Sequence, residues 1–193
     1  MINTLVKSFS LFVFAMIIAS SSAKSGSSKN EALVKSYINA RNNYDSETVN
    51  TLVKENYSET FIDGSTEIEN KGQLAGRILW GKALVSKIKL LEIESDDNKV
   101  VTIEEYTNYL DIALKRKSRK FKISYTFSDD KIQNQKIDTL PGYYQVLKFN
   151  ADRYEEFQKY CEQNNLKYNQ SPNEELGINL RKVLEKYRRD TEK

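Results

Sequence analysis

Residues 86–139 read as four β-strands almost end to end, and this stretch limits the possible folds more than any other. Ser86–Ser95 and Lys99–Leu114 are strand candidates separated by Asp96-Asp97-Asn98, a tight polar turn. Phe121, Ile123, Tyr125 and Phe127 alternate with Lys122, Ser124 and Thr126, the period-two pattern of a half-buried strand. Ser128-Asp129-Asp130 turns the chain into a last strand, Lys131–Thr139, ahead of Pro141-Gly142. Turns this short join antiparallel neighbours. The apolar phase slips between Ile88/Leu90 and Leu91/Ile93, as one extra residue in a β-bulge would make it do.

Helical patterns flank the sheet. Ser28 and Glu31 form a capping box ahead of Leu33, Val34, Tyr37 and Ile38 at helical spacing. Asp45 is an N-cap for a short helix with Val49, Leu52 and Val53 in one stripe. Tyr57–Ile62 is strand-like, and Asp63-Gly64-Ser65 is a turn. A third helix starts near Asn70 with Leu74, Ile78, Leu79 and Trp80. Its Gly72, Gly76 and Gly81 each cost about 1 kcal/mol relative to alanine, which suggests close packing against a neighbour. Toward the C-terminus Asn150 reads as a cap for a helix burying Tyr154, Phe157, Tyr160 and Cys161. Ser171-Pro172-Asn173-Glu174 reads as the start of another, with Leu176, Leu180, Val183, Leu184 and Tyr187 along one side. The whole is an α+β domain with two C-terminal helices.

Residues 1–23 have the layout of a secretory signal peptide. Lys7 supplies the basic start, Phe9–Ala19 the apolar run, and Ser21-Ser22-Ala23 the small residues for cleavage. The apolar run is about half the roughly 20 residues a membrane-spanning helix needs, so no stable membrane anchor is expected. The expected organisation is a signal peptide (1–23), a flexible leader (24–29), a core domain (30–142) and a C-terminal helical extension (143–193). The mature protein is expected in the periplasm or medium.

Histidine is absent, which removes His-based triads, imidazole acid–base chemistry and nearly all catalytic zinc sites. Cys161 is the only cysteine, so no internal disulfide can form, and its apolar neighbours suit a buried thiol. Without residues 1–23 the chain keeps 29 basic and 27 acidic residues, well interspersed, and nucleic acid is not an expected partner. The exception is Lys115-Arg116-Lys117-Ser118-Arg119-Lys120, read as a solvated hairpin turn or, less simply, as contact with an anionic partner or membrane headgroups. No P-loop, dinucleotide fingerprint or calcium-loop spacing occurs, so neither cofactor nor metal is expected.

Residues 33–72 resemble the superfamily of nuclear transport factor 2, ketosteroid isomerase and the SnoaL-like polyketide cyclases. The resemblance rests on "YINARNNYD", the short helix "SETVNTLVKENY", "FIDGS" and a later glycine opening the third helix, with "YTFSDDKIQNQKID" as a closing hairpin. It implies a cone-shaped domain, N-terminal helices packed on a curved antiparallel sheet around a mostly apolar pocket. Residues 143–193 fall outside the family core. In the isomerase branch the oxyanion-donor tyrosine precedes the aspartate opening the second helix by eight residues, the relation of Tyr37 to Asp45. The branch's general base would fall at Phe61, with Asp63 displaced by two. Its second acid would fall at or near Ile123. One residue is kept, one displaced and one lost.

The candidate pocket residues are Tyr37, Asp63, Trp80, Glu105, Tyr109 and Tyr125. Tyr37 could donate to an oxyanion or simply sit in the core. Asp63 could act as a base if buried, or bind its own turn backbone. Trp80 and Tyr125 could line a pocket or fill the core. Glu105 and Tyr109 would point inward with Val101 and Ile103, although Glu104 beside them leaves the face open by one residue. Missing histidine and the lost acid favour a pocket that binds a small apolar or amphipathic ligand without catalysis. The alternative is a cofactor-independent isomerase, lyase or cyclase using Tyr37 and Asp63. The sheet also offers a surface for homodimerisation, and the C-terminal helices could serve as a docking arm.

Overall fold

The computed structural model describes residues 20–96, 98–168 and 173–192, so residues 1–19, Ser171 and Pro172 lie outside the described residues. The elements run α1 (Ser20–Asn42), α2 (Ser46–Leu52), β1 (Val53–Phe61), β2 (Thr66–Ile68), α3 (Lys71–Ala83), β3 (Lys87–Asp96), β4 (Lys99–Thr107), α4 (Tyr109–Ala113), β5 (Arg119–Ser128), β6 (Lys131–Thr139), α5 (Tyr143–Gln163) and α6 (Glu174–Thr191). The six strands form one curved sheet in the order β2-β1-β6-β5-β4-β3. The α+β architecture is as expected.

Much of it follows from local signals. Asp45 accepts from the Thr48 amide at 2.9 Å and Asn70 from the Gln73 amide at 3.0 Å, so α2 and α3 start where their caps are written. Leu91 is the extra residue of a bulge, since Leu90 pairs with Glu104 and Glu92 with Ile103. Asp129 and Asp130 take φ of 48° and 58°, a left-handed two-residue turn that matches strand twist and that aspartate tolerates.

Other expectations need correcting. β1 pairs with β6 in parallel, so the sheet is mixed, not antiparallel throughout. Residues 24–29 belong to α1, which runs unbroken past Ser28; no proline interrupts its first turns. The strand expected over Lys99–Leu114 stops at Thr107. There Asn108 and Asp111 cap each other's backbones at 3.4 and 2.8 Å, which starts α4 instead. α5 begins just after Gly142, so Asn150 lies mid-helix and buried, not at a cap. Asn173, two residues beyond Ser171, caps α6 by accepting from the Leu176 amide at 2.9 Å.

Two cores result. Tyr37, Tyr57, Leu74, Ile78, Ile123 and Ile132 belong to the one between α1–α3 and the sheet. Leu84, Leu110, Phe157, Cys161, Leu180 and Leu184 belong to the one that fastens α5 and α6 to α3 and α4. The tight helix contact is made by Gly177 of α6 and not by Gly72 or Gly81 of α3. A Cβ there would lie 2.9 Å from the Ala83 Cβ and 3.3 Å from Trp80, whereas one at Gly72 or Gly81 would meet Asn70 or Ser86 at 3.2 or 3.4 Å. Burial, with help from Glu162, pushes the Cys161 thiol up to about 11, as suits an unreactive core residue.

Candidate functional site

A cavity of about 340 Å³ opens between α1, α3, α5 and the sheet. That lies at the small end of the roughly 300–1,000 Å³ typical of small-molecule sites. Phe61, Ile78, Trp80, Phe121, Ile137 and Leu147 make much of it apolar. Two polar groups of residues break the apolar lining.

The first is built around Glu59. Tyr57 and Glu59 are two apart on β1 and share a face, while Tyr37 and Arg41 are one turn apart on α1. Glu59 Oε1 accepts from Tyr57 Oη at 2.7 Å, from Tyr37 Oη at 3.2 Å and from Arg41 Nη1 at 3.2 Å. Arg41 Nη1 also donates to Tyr37 Oη at 2.7 Å, and Gln135 Nε2 to Tyr57 Oη at 2.5 Å. No described residue donates to Glu59 Oε2, and it is absent from the buried unpaired atoms. Since Glu59 lines the cavity, that oxygen remains open to whatever occupies it. Burial raises the Tyr37 hydroxyl well above the usual phenol range, with Arg41 partly offsetting it. Burial and then the Glu59 charge raise Tyr57 as well. Burial disfavours the Arg41 cation, but Tyr37 and Glu59 outweigh that and hold it firmly protonated.

A second carboxylate lies deeper. Glu104 has no exposed surface; Oε1 accepts from Tyr125 and Thr102, and Oε2 from Tyr106, each at 2.6 Å. The Tyr125 ring meets Tyr37 edge-on with centroids 6.2 Å apart. Both oxygens of Glu104 are engaged, so it braces the wall beneath the cavity, whereas Glu59 can act on a ligand.

The other polar group comprises Arg116 on the loop into β5 and Arg119 at the start of that strand, with Asn108 and Asn150 beside them. Asp111 stands 3.2 Å from Arg116 Nε and 3.9 Å from Arg119 Nη2. Burial lowers the Arg116 pKa, with Asp111 opposing the shift.

Of the six residues expected in the pocket, Trp80 lines it. Tyr37 and Tyr125 lie one layer beneath, committed to Glu59 and Glu104. Asp63 is an exposed turn residue, and its bonds from the Ser65 hydroxyl (2.7 Å) and amide (2.9 Å) hold its carboxyl below the usual range. Tyr37 and Asp63 therefore do not converge. Glu105 does not line the cavity and accepts from Ser118 Oγ at 2.5 Å. Tyr109 belongs to the second core, with the Arg181 guanidinium 3.4 Å from its ring centre. Sequence reasoning missed Arg41 and Glu59, and it singled out the run holding Arg116 and Arg119 without placing them in the cavity. The spacing Tyr57-x-Glu59-x-Phe61 was the available signal for Glu59, since those three share a strand face. Among the described residues no group of three His, Cys, Asp or Glu side chains could hold a metal ion.

No family model and no curated protein matches this chain. Solved structures do. An LEH-like epoxide hydrolase from M. tuberculosis, 14% identical, superposes with a TM-score of 0.50 over 69% of this chain and 98% of its own. Bal32a, from a soil-derived mobile gene cassette, is 19% identical with a TM-score of 0.50 over 64% of this chain and 98% of its own. An NTF2-like protein from Cytophaga hutchinsonii is 15% identical, with a TM-score of 0.45 over 56% of this chain and 87% of its own. This chain has the nuclear transport factor 2-like fold. At these identities the likeness is one of fold, and the chemistry of the cavity must be argued from its own residues.

Proposed function

We propose that this protein is an exported nuclear transport factor 2-like domain whose cavity binds a small amphipathic ligand. The observation that carries this reading is the 340 Å³ apolar-walled space with one open carboxylate oxygen, Glu59 Oε2, in its lining. Apolar walls supply affinity and a few placed polar groups supply orientation, the usual composition of such sites. Trp80 is the only tryptophan and lines the cavity, so its emission reports occupancy directly. Titration with decanol should shift or quench that emission saturably, and Leu147→Phe, which fills part of the cavity, should weaken the response. An emission spectrum unmoved up to the solubility limit of decanol would end this reading.

Glu59 also favours a second reading, in which the cavity is a cofactor-independent acid–base site for an isomerase, lyase or cyclase. One oxygen fixed by three donors and the other free is a suitable arrangement for moving a proton, with Arg41 and the tyrosines steadying the charge. Glu59 then takes the place that Tyr37 and Asp63 cannot fill together. Glu59→Gln should reduce turnover of a true substrate by about 10²–10⁴-fold.

Export is supported by the pattern of Lys7, Phe9–Ala19 and Ser21-Ser22-Ala23. N-terminal sequencing of protein from its native host should begin at or near Lys24, and a protein still starting at Met1 would refute it. Among the described residues no helix is long and apolar enough to cross a membrane.

A further inference from the structure

We propose that Arg116 and Arg119 form a carboxylate-binding subsite, so that the ligand is an amphipathic monocarboxylic acid; this rests on the binding reading above. The basic run 115–120 is not a freely solvated turn. Its lysines are exposed, while Arg116 and Arg119 line the cavity. The loop is also held in place. Asn150 accepts from the Lys117 amide at 2.8 Å and donates to the Lys117 carbonyl at 2.9 Å, and the Arg116 amide donates to the Asp111 carbonyl at 2.8 Å.

The two guanidinium groups are only half-served by the protein. Asp111 lies near both, yet Arg116 Nε and Asp111 Oδ1, 3.2 Å apart, are not aligned for a hydrogen bond, and Arg119 Nη2 at 3.9 Å is too far for one. No described residue accepts from any guanidinium nitrogen of either arginine, and Nε of each is buried without an acceptor. The Nη groups are not among the buried atoms and have no acceptor, so they are the donors that a ligand's oxygens can meet. Two cations facing one carboxylate leave a single positive charge, which one carboxylate of a ligand would balance. The surroundings have the same bias, with five cationic and two anionic side chains lining the cavity. Arginine's planar fork suits a carboxylate's paired oxygens.

Strand register sets the orientation. Glu59 pairs with Gln135, and Gln135 with Tyr125, six residues along β5 from Arg119. Six residues of strand span about 20 Å, and the apolar residues Phe61, Ile123, Ile137 and Phe121 lie between the two levels. A carboxylate would be attracted at Arg119 and repelled at Glu59. The acid therefore binds with its head at the arginines and its chain along Phe121, Ile123, Ile137 and Phe61.

The test compares decanoate with decanol at neutral pH, read by Trp80 emission. In the unaltered protein decanoate should bind about tenfold tighter or more, the scale of one charge-assisted hydrogen bond. Arg119→Gln, on a partly exposed side chain, should remove most of that preference, and Arg116→Gln should do the same. The comparison in the unaltered protein needs no variant, so a substitution that fails to fold does not rescue the idea. If both probes bind equally, the cavity reading stands and the carboxylate subsite is refuted. If the preference survives both arginine substitutions, the subsite is likewise refuted. If neither probe binds, the cavity reading itself fails.

Discussion

Tyr37, Tyr57 and Tyr125 have their rings and hydroxyls packed away from water, and each is pushed above the usual phenol range, first by burial. For Tyr57 and Tyr125 the nearby carboxylates Glu59 and Glu104 add to the effect. In the unfolded chain all three would titrate near pH 10, at about the model-peptide value. Because their folded values are raised, the stability they contribute is fully present below about pH 10 and is lost as pH climbs toward the folded values. Each such group removes about 1.4 kcal/mol per pH unit, so the three together remove about 4 kcal/mol per unit. Against a typical domain stability of about 5–15 kcal/mol, that exhausts the fold within about one to four units above pH 10. Phenolate absorbance and far-UV circular dichroism followed together through the alkaline range should show one group of tyrosines ionising freely. A second group should ionise only as secondary structure disappears. Replacing Tyr125 by Phe should flatten the pH slope of stability by about 1.4 kcal/mol per unit. Smooth titration of all twelve tyrosines near pH 10 with unchanged dichroism would refute the reasoning.

Gly177→Ala should destabilise by about 1–2 kcal/mol in urea unfolding, because overpacking against the Ala83 Cβ and the Trp80 backbone outweighs the helix-propensity gain of about 1 kcal/mol. An increase in stability would show that α6 can shift without loss. Val85 sits at φ 53° and is 47% exposed, so Val85→Asn should relieve about 1 kcal/mol of left-handed strain and raise Tm by about 2–4 °C. Asn150→Ala should cost about 2 kcal/mol by freeing the Lys117 amide and carbonyl, and should weaken decanoate binding more than decanol binding. Equal effects on the two probes would separate the loop from head-group recognition.

How far the sequence could be read depended on the range of the forces involved. Caps and turns act over three or four residues, and Asp45, Asn70 and Asp129-Asp130 accordingly mark real boundaries. The parallel pairing of β1 with β6 joins residues more than seventy apart and leaves no local trace. On β4, Val100 and Val101 offer apolar residues to both faces, so the pattern could not decide which side holds an acid. The structure buries Val100, Thr102 and Glu104, because that face meets the hydroxyls of Tyr125 and Tyr106. Asn150 resembles a cap because asparagine often is one, yet here its amide serves another segment's backbone. Most of the missed site residues are arginines and acids whose partners lie on other elements, and local periodicity could not pair them.

The contact through Gly177 has a bearing on how the protein is made. α3 carries Arg77, Ile78 and Trp80 into the cavity wall, and its outer side rests on α6, which is synthesised after every other element described above. Until α6 emerges, α3 lacks its backing, and Leu84, Leu110 and Phe157 of the second core face water or a chaperone. Chains cut short before α6 should therefore be sticky intermediates, prey to proteases even with their sheet complete. A ligand present during synthesis would find no finished site to bind. The cavity gains its backing only when α6 arrives, although the residues that line it, Arg41 to Asn150, are all synthesised before that helix.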